Sequence, residues 1–340
     1  MDKKLLALYS LAHCWVDLSC ALLVLGGAPE AGGLLYRLLL YNFCAFALQM
    51  PLGLLADRLD RNGVLAALGC GLTALAYLIP APLPAAVTAG IGNALFHLGA
   101  GLDVLNGSVR GAAALGVFVS PGALGLYLGS LWSRGTPLPL WIAPMSLLAL
   151  GGAVLLLCRR RFGPRLRSGN RPVNLAAPAG YAVLGPLLLV VVLRSYAGIS
   201  QAFPWRGAWV LPLTLALVLG KAAGGFVMDR LGPERAAGAS LGLAAALYLA
   251  SALPLPGVLA VFFFNMTMPI TLWAAARALP GAKGLAFGLL TFGLFLGFLP
   301  EFLGWPRLLT GPWTYAAAAA ASLALLRPPL GALKRGARTC

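Results

Sequence analysis

Residues 53–61 read GLLADRLDR, and a related stretch at residues 225–235 reads GFVMDRLGPER. Asp57 and Asp229 occupy the same place in the two stretches and lie 172 residues apart (229 − 57), about half of the 340-residue chain. The same offset relates further pairs of identical residues, namely Asn93 with Asn265, Gly116 with Gly288, and Gly125 with Gly297. Because these pairs stay in register, we predict that the chain consists of two related halves.

The composition places both halves in a lipid bilayer. Hydrophobic residues make up 60% of the chain and charged residues 10%, whereas soluble domains carry about 25% charged residues. Apolar runs bounded by Gly, Pro or charge follow one another from residues 5–25 to residues 311–326, each near the ~20 residues that span a bilayer. We therefore predict an all-α membrane protein with about twelve transmembrane helices, arranged as two pseudo-symmetric six-helix bundles. The bundles are residues 1–158 and 178–340, the second ending in a basic tail, and residues 159–177 form a basic cytosolic linker.

The positive charges fall mostly on one side of the predicted helices. Of the 25 Lys and Arg residues, three lie in predicted outer loops and three within apolar runs, which leaves 19 on the side of the N-terminus. This positive-inside bias predicts a multi-pass protein of the plasma (inner) membrane with both termini in the cytosol. It also explains the net charge of +16 without a nucleic-acid partner. The six cysteines show no CxxC spacing, so we expect no disulfide framework, zinc site or other cofactor.

Each repeated stretch combines a glycine with a carboxylate at the predicted cytosolic end of a helix. Gly53 and Gly225 allow close helix approach, and Asp57 and Asp229 can cap the N-terminus of a helix from the opposite half or pair with an arginine. Since such a contact exists in only one orientation of the halves, we predict a conformational latch. Its residues are Gly53, Asp57, Arg58, Arg61, Gly225, Asp229 and Arg230, although the arginines are equally typical of a positively charged cytosolic turn.

This motif, after the second helix and again after the eighth, resembles the signature loop of the major facilitator superfamily (MFS). The helix count, the repeat and the topology extend the resemblance to the whole chain. Asp60 stands where the family usually has Gly, and Asn62 where a basic residue is common. The stretch GNALFHLGAG at residues 92–101 is similar to the fourth helix of the fosmidomycin-resistance efflux branch. The resemblance implies a monomeric secondary transporter whose helices 1, 4, 7 and 10 line a central cavity.

A small set of polar residues lies at bilayer depth, where ionisable groups are costly and therefore functional candidates. His13 and Asp17 are one turn apart on the first helix, and Asn93 and His97 are one turn apart on the fourth. The resemblance implies that they face one cavity, so we predict a substrate- and proton-binding site made of His13, Asp17, Asn93, His97, Arg194 and Asn265. Alternatively, Asn265 joins helices and each histidine bonds a backbone carbonyl.

Three further charged residues allow two interpretations each, and a fourth, Asp103, has one. Arg37 and Glu301, near the outer helix ends, form an outer gate or anchor the protein at the surface. Lys221 either acts in the cavity or extends to the headgroups. We expect Asp103 to join the cytosolic charges around Arg58 and Arg61.

These features favour proton-coupled efflux of a small organic solute by alternating access, with Asp17 holding a proton while its surroundings are dry. The partners would be a small-molecule substrate, protons and membrane lipids. Uptake of a small organic anion remains an alternative, which the cationic Arg194 and Lys221 favour. Two departures from the exporters of the superfamily also weigh against export: the fourth helix has no arginine before Arg110, and Gly122 follows Pro121 where those exporters have Gly-Pro. Divalent metal transport is a second alternative, with His13, Asp17 and His97 as ligands. A receptor is less favoured, as is an intramembrane enzyme, since the sequence has no GxSxG or HExxH motif.

Overall fold

A computed structural model describes residues 1–26, 33–108, 111–135, 139–161, 178–305 and 310–336, and within these ranges the chain is helical with no strand. The first helices are α1 (Lys3–Leu25), α2 (Gly33–Asn42), α3 (Gln49–Leu59), α4 (Asn62–Ala76), α5 (Pro82–Gly107), α6 (Ala113–Val119), α7 (Pro121–Trp132) and α8 (Ile142–Arg161). The others are α9 (Pro178–Ser200), α10 (Val210–Leu231), α11 (Pro233–Leu249), α12 (Pro254–Asn265), α13 (Thr267–Ala278), α14 (Lys283–Phe302) and α15 (Pro312–Gly336). A π-helical turn, Phe43–Ala47, joins α2 to α3.

Neighbouring short helices continue one another, so that the described residues form twelve helical segments. The composite segments are Gly33–Leu59, Ala113–Trp132 and Pro254–Ala278. Nine segments in the described part of the chain are long and apolar enough to cross a membrane, and α4 and most of α8 are shorter apolar helices. The predicted all-α fold of about twelve helices is confirmed.

The chain divides into two compact units. Unit 1 consists of Met1–Gly107, Pro121–Pro172 and Gly281–Gly288, and unit 2 of Ser108–Ser120, Val173–Pro280 and Leu289–Cys340. Each unit therefore includes a short segment from the other half of the sequence. The predicted linker falls mainly on residues 162–177, which lie outside the described ranges.

In unit 1, α4 packs against α5 and α8, and α1 packs against α5 and α7. Glycines permit these close approaches, because a Cβ at Gly125 or Gly129 would overlap the backbone of α1. A buried cluster of Leu18, Leu22, Trp132 and Ala143 joins α1 to α7 and α8. As a result, more than half of α1 is buried, which places its polar residues inside unit 1.

In unit 2, α11 packs against α12 and α15, α9 packs against α13 and α15, and α10 packs against α6 and α12. α6 ends at Val119, just before Pro121, because proline has no N–H for the carbonyl of Val117. The Ser120 hydroxyl donates to that carbonyl instead, at 3.1 Å.

The predicted end of the last helix near residue 326 is wrong. α15 continues through Pro328 and Pro329 to Gly336. Each proline removes only one backbone donor from the helix. Lys334 lies near the C-terminal end of α15 and donates to Glu234 of α11 at 2.6 Å, a contact within unit 2.

Candidate functional site

Four of the predicted site residues meet inside unit 1. His13 and Asp17 come from α1, and Asn93 and His97 come from α5. All four lie in the middle third of their helices and are between 1% and 9% exposed. We call these four residues the His–Asp cluster.

The Asp17 carboxylate is the centre of the cluster. His13 Nε2 lies 3.3 Å from Asp17 Oδ2 and His97 Nε2 lies 3.8 Å from Asp17 Oδ1. Asn93 Nδ2 donates to Asp17 Oδ1 at 2.8 Å. The two histidine rings also meet directly, with 2.9 Å between their Nε2 atoms. The chain contains two histidines, so both take part in this one cluster.

Two further features of the cluster bear on what it can bind. Asn93 Oδ1 is buried and has no hydrogen-bond partner among the described residues, which leaves an acceptor beside Asp17. The backbone of α7 passes directly over the cluster at Gly122, where a Cβ would overlap His13 Nε2 and Asp17 Oδ2. Sequence reasoning missed Gly122, and the reversed Pro-Gly order was the available signal.

Asp103 lies in a second polar group nearer the end of α5. Tyr9 Oη donates to Asp103 Oδ2 at 2.6 Å, and Asn62 Nδ2 donates to Asp103 Oδ1 at 2.9 Å. The expected association with Arg58 and Arg61 is therefore wrong within the described residues. Tyr9 and Asn62 were not predicted, although Tyr9 stands one turn before His13 on α1.

The other two predicted site residues belong to unit 2. Arg194, on α9, is 7% exposed and donates to Thr267 Oγ1 at 3.4 Å. Asn265, at the end of α12, donates to the carbonyl of Val261 in its own helix at 2.8 Å. Whether these residues share a cavity with the His–Asp cluster stays a prediction.

Arg37 is buried and donates to the carbonyl of Gly26 at 3.0 Å. Its suggested pairing with Glu301 stays a prediction, as does the role of Lys221.

The two repeated carboxylates bind backbone amides at the start of a helix. In unit 1, Asp57 accepts from the amides of Gly284 and Leu285 at 2.7 and 2.9 Å. In unit 2, Asp229 accepts from the amides of Ala112 and Ala113 at 2.6 and 3.1 Å. The side chains of Arg58, Arg61 and Arg230 are exposed. The latch role of all these residues stays a prediction.

The two carboxylate contacts repeat each other with the offset found in the sequence. Adding 172 to Asp57 gives Asp229, and adding 172 to Ala112 gives Gly284. The glycines follow the same rule, because a Cβ at Gly53 would overlap Gly284 and one at Gly225 would overlap Ala112. The internal repeat is thus present in three dimensions as well as in sequence.

The helices and their apolar faces define a multi-pass membrane protein. Large apolar side chains such as Leu11, Leu78 and Trp313 are more than half exposed, which a surface in contact with lipid tolerates. No protein-family model matches the sequence, and a search of curated proteins finds no match.

Solved structures identify the fold more closely. The fucose:proton symporter FucP of E. coli is similar over 95% of this chain and 97% of its own, with a TM-score of 0.63 and 15% identity. A bacterial homologue of the iron transporter ferroportin, in an outward-facing state, is similar over 97% and 98%, with a TM-score of 0.64 and 14% identity. The human organic anion transporter MFSD10 (TETRAN) is similar over 97% and 99%, with a TM-score of 0.62 and 16% identity. The chain therefore has the fold of MFS transporters, and at these identities the likeness concerns the fold alone.

Proposed function

We propose that the protein is a secondary active transporter that moves a small solute by alternating access and exchanges it against protons. The observation that carries the proposal is the burial of Asp17 among both histidines of the chain. A carboxylate inside a membrane segment is costly unless it is protonated, solvated or paired. A cluster that accepts a proton in one state and loses it to water in another offers the required coupling.

The proposed cycle uses the contacts of the cluster directly. While the surroundings of Asp17 are dry, the proton is held between the carboxylate and the histidine rings. When the site opens to water, the carboxylate becomes solvated and the proton leaves. Protonation then decides which orientation of the two bundles is favoured. Fold neighbours such as FucP are transporters rather than enzymes, which supports a carrier.

Two features of the sequence support a direction and a setting for transport. The similarity of residues 92–101 to an efflux branch favours export of a small organic compound. The positive-inside bias favours the plasma (inner) membrane with both termini in the cytosol, and the likeness to MFS transporters favours a monomer.

The test of coupling is Asp17→Asn, which keeps the size of the side chain but cannot take up the proton. A screen of organic compounds for thermal stabilisation of the purified protein at two pH values supplies the transported probe. In liposomes, we expect the variant to lose accumulation of that probe driven by a pH gradient while it retains exchange of labelled for unlabelled probe. Gradient-driven accumulation equal to that of the wild type would remove Asp17 from the mechanism.

Uptake of an organic anion is a second candidate, which Arg194 favours. A guanidinium has five N–H donors, and Arg194 uses one long hydrogen bond, to Thr267. Among the described residues no carboxylate pairs with it. A buried cation of this kind suits an anionic ligand.

Arg194→Gln tests this second candidate with defined compounds. Benzoate, succinate and methylphosphonate should raise the melting temperature of the wild type and leave that of the variant unchanged. Benzamide and succinamide are the uncharged controls. Equal stabilisation of both proteins by the anions would exclude Arg194 as the anion-binding group.

A further inference from the structure

The His–Asp cluster brings three donor atoms of the kind that bind metals into one place. His13, Asp17 and His97 each offer one ligand atom, and these atoms lie within 4.8 Å of one another. They come from two helices of the same unit, so their spacing is set by the packing of α1 on α5.

Hydrogen bonding determines which atoms of the rings are available. His97 Nδ1 lies 2.9 Å from the carbonyl oxygen of Asn93. A carbonyl oxygen only accepts, so His97 carries its proton on Nδ1 and, as a neutral ring, presents a lone pair on Nε2. The 2.9 Å contact between the two Nε2 atoms then requires that His13 Nε2 donate its proton to His97. One proton thus holds together the two nitrogen atoms that face Asp17.

A metal ion in place of that proton requires little rearrangement. With metal–nitrogen bonds of about 2.1 Å, two nitrogen ligands lie about 3.0 Å apart in an octahedral site and about 3.4 Å apart in a tetrahedral one. The Nε2 atoms are 2.9 Å apart, and His13 Nε2 is 3.3 Å from Asp17 Oδ2. These two distances need to change by a few tenths of an ångström, whereas the 3.8 Å between His97 Nε2 and Asp17 Oδ1 must shorten by about 0.4–0.8 Å.

The surroundings of the ligands resemble the outer shell of a metal centre. A metal-binding histidine commonly donates its second ring N–H to a backbone carbonyl, and a metal-binding carboxylate is held by a further hydrogen bond. His97 has the first arrangement through the Asn93 carbonyl, and Asp17 has the second through Asn93 Nδ2. Asn93 is therefore a positioning residue for both ligands, and its unpartnered Oδ1 adds a possible fourth donor.

We propose that His13, Asp17 and His97 form a binding site for a divalent first-row transition-metal ion. Two imidazoles and one carboxylate favour ions such as Zn²⁺, Co²⁺, Fe²⁺ and Mn²⁺ over Mg²⁺ and Ca²⁺, which prefer oxygen ligands. Metal binding at His13 Nε2 moves the proton of that neutral ring to Nδ1. A further proton, held on Asp17 or on either ring, must leave, because the ligands bind metal only when deprotonated. The inference rests on the proposed function in one respect: the bound ion would be the solute exchanged for protons, in place of an organic compound.

The test measures binding to the purified full chain from which any histidine tag has been removed. Co²⁺ is the probe, since its visible absorption changes when imidazole nitrogen binds, and that nitrogen can come only from His13 and His97. We expect one Co²⁺ per chain, displacement by Zn²⁺, and a rise in melting temperature that Mg²⁺ and Ca²⁺ do not produce. Asp17→Asn and His97→Gln should abolish the absorption change. Asn93→Ala should weaken binding by about 10- to 100-fold.

Glu234→Gln is the matched control, because it removes an exposed carboxylate in unit 2 and should leave Co²⁺ binding unchanged. A cooperative melting transition without metal establishes that each variant is folded. If His97→Gln does not fold, the near-isosteric Asp17→Asn still provides a measurement of Co²⁺ binding in a variant that lacks one ligand. The proposal is overturned if Co²⁺ produces no imidazole-dependent absorption, or if the folded variants bind it as the wild type does. Such a result leaves proton coupling intact, since that is judged separately by gradient-driven flux.

Discussion

At the scale of single residues, the His–Asp cluster is where the two halves of the chain differ. Adding 172 to His13, Asp17 and His97 leads to Gly185, Leu189 and Pro269, which have no titratable group. Asn93 does have a counterpart, Asn265, but the two amides bind differently. Asn93 donates to Asp17, whereas Asn265 donates to a carbonyl of its own helix. The repeat therefore preserves the scaffold and not the chemistry of the site.

Gly122 carries a prediction at this scale. In Gly122→Ala the new methyl group would overlap His13 Nε2 and Asp17 Oδ2, so α1 and α7 must separate or the cluster must rearrange. Overpacking of this kind costs about 1–3 kcal/mol, and we expect a lower melting temperature and weaker proton-coupled flux. Gly152→Ala is the control, since a Cβ there meets no atom within 4 Å. Equal melting temperatures for the two variants would contradict the close approach of α7.

At the scale of helices, most positions could be predicted because long apolar runs, Gly, Pro and charge mark the spans clearly. The contact of α1 with α5 could be expected only from the family resemblance, since spacing within one helix does not determine which helices meet. The π-helical turn Phe43–Ala47 had no recognised signal. Asp103 was assigned to the wrong partners because proximity to the cytosolic end suggested arginines, whereas packing brought Tyr9 and Asn62 to it.

Asp60, which stands where the major facilitator superfamily usually has Gly, can also be explained at the scale of helices. Asp60 ends α3 with φ 47° and ψ 43°, in the left-handed region, and Gly232 follows α10 with φ 82°. Glycine adopts positive φ without a steric penalty, and Asp is among the few other residues that tolerate the left-handed region. The positive φ required after the helix explains why the family usually has glycine at this position. It also explains why Asp can replace that glycine.

At the scale of the whole molecule, the two carboxylate contacts connect the halves of the sequence in an equivalent way. Unit 1 takes residues 281–288 from the second half, where Asp57 binds them, and unit 2 takes residues 108–120 from the first half, where Asp229 binds them. In the proposed latch, both contacts belong to one orientation of the bundles and are lost together in the other. If each aspartate were only a helix cap, the two contacts would behave differently, because each would then break independently of the other.

Asp57→Asn distinguishes these possibilities. An Asn side chain has one acceptor oxygen and no charge, so the cap of Gly284 and Leu285 should weaken by about 1 kcal/mol, and their amides should exchange with deuterium about fivefold faster. If the carboxylate belongs to a latch, the amides of Ala112 and Ala113 should also exchange faster, although Asp229 is unchanged. Asp229→Asn should have the reciprocal effect on the amides of Gly284 and Leu285.

Asp60→Asn is the control, because Asn tolerates the left-handed conformation and should leave both segments protected. Hydrogen–deuterium exchange of the purified protein reads the two segments separately. Faster exchange confined to residues 284–285 in Asp57→Asn would reduce Asp57 to a helix cap and remove the latch from the transport cycle.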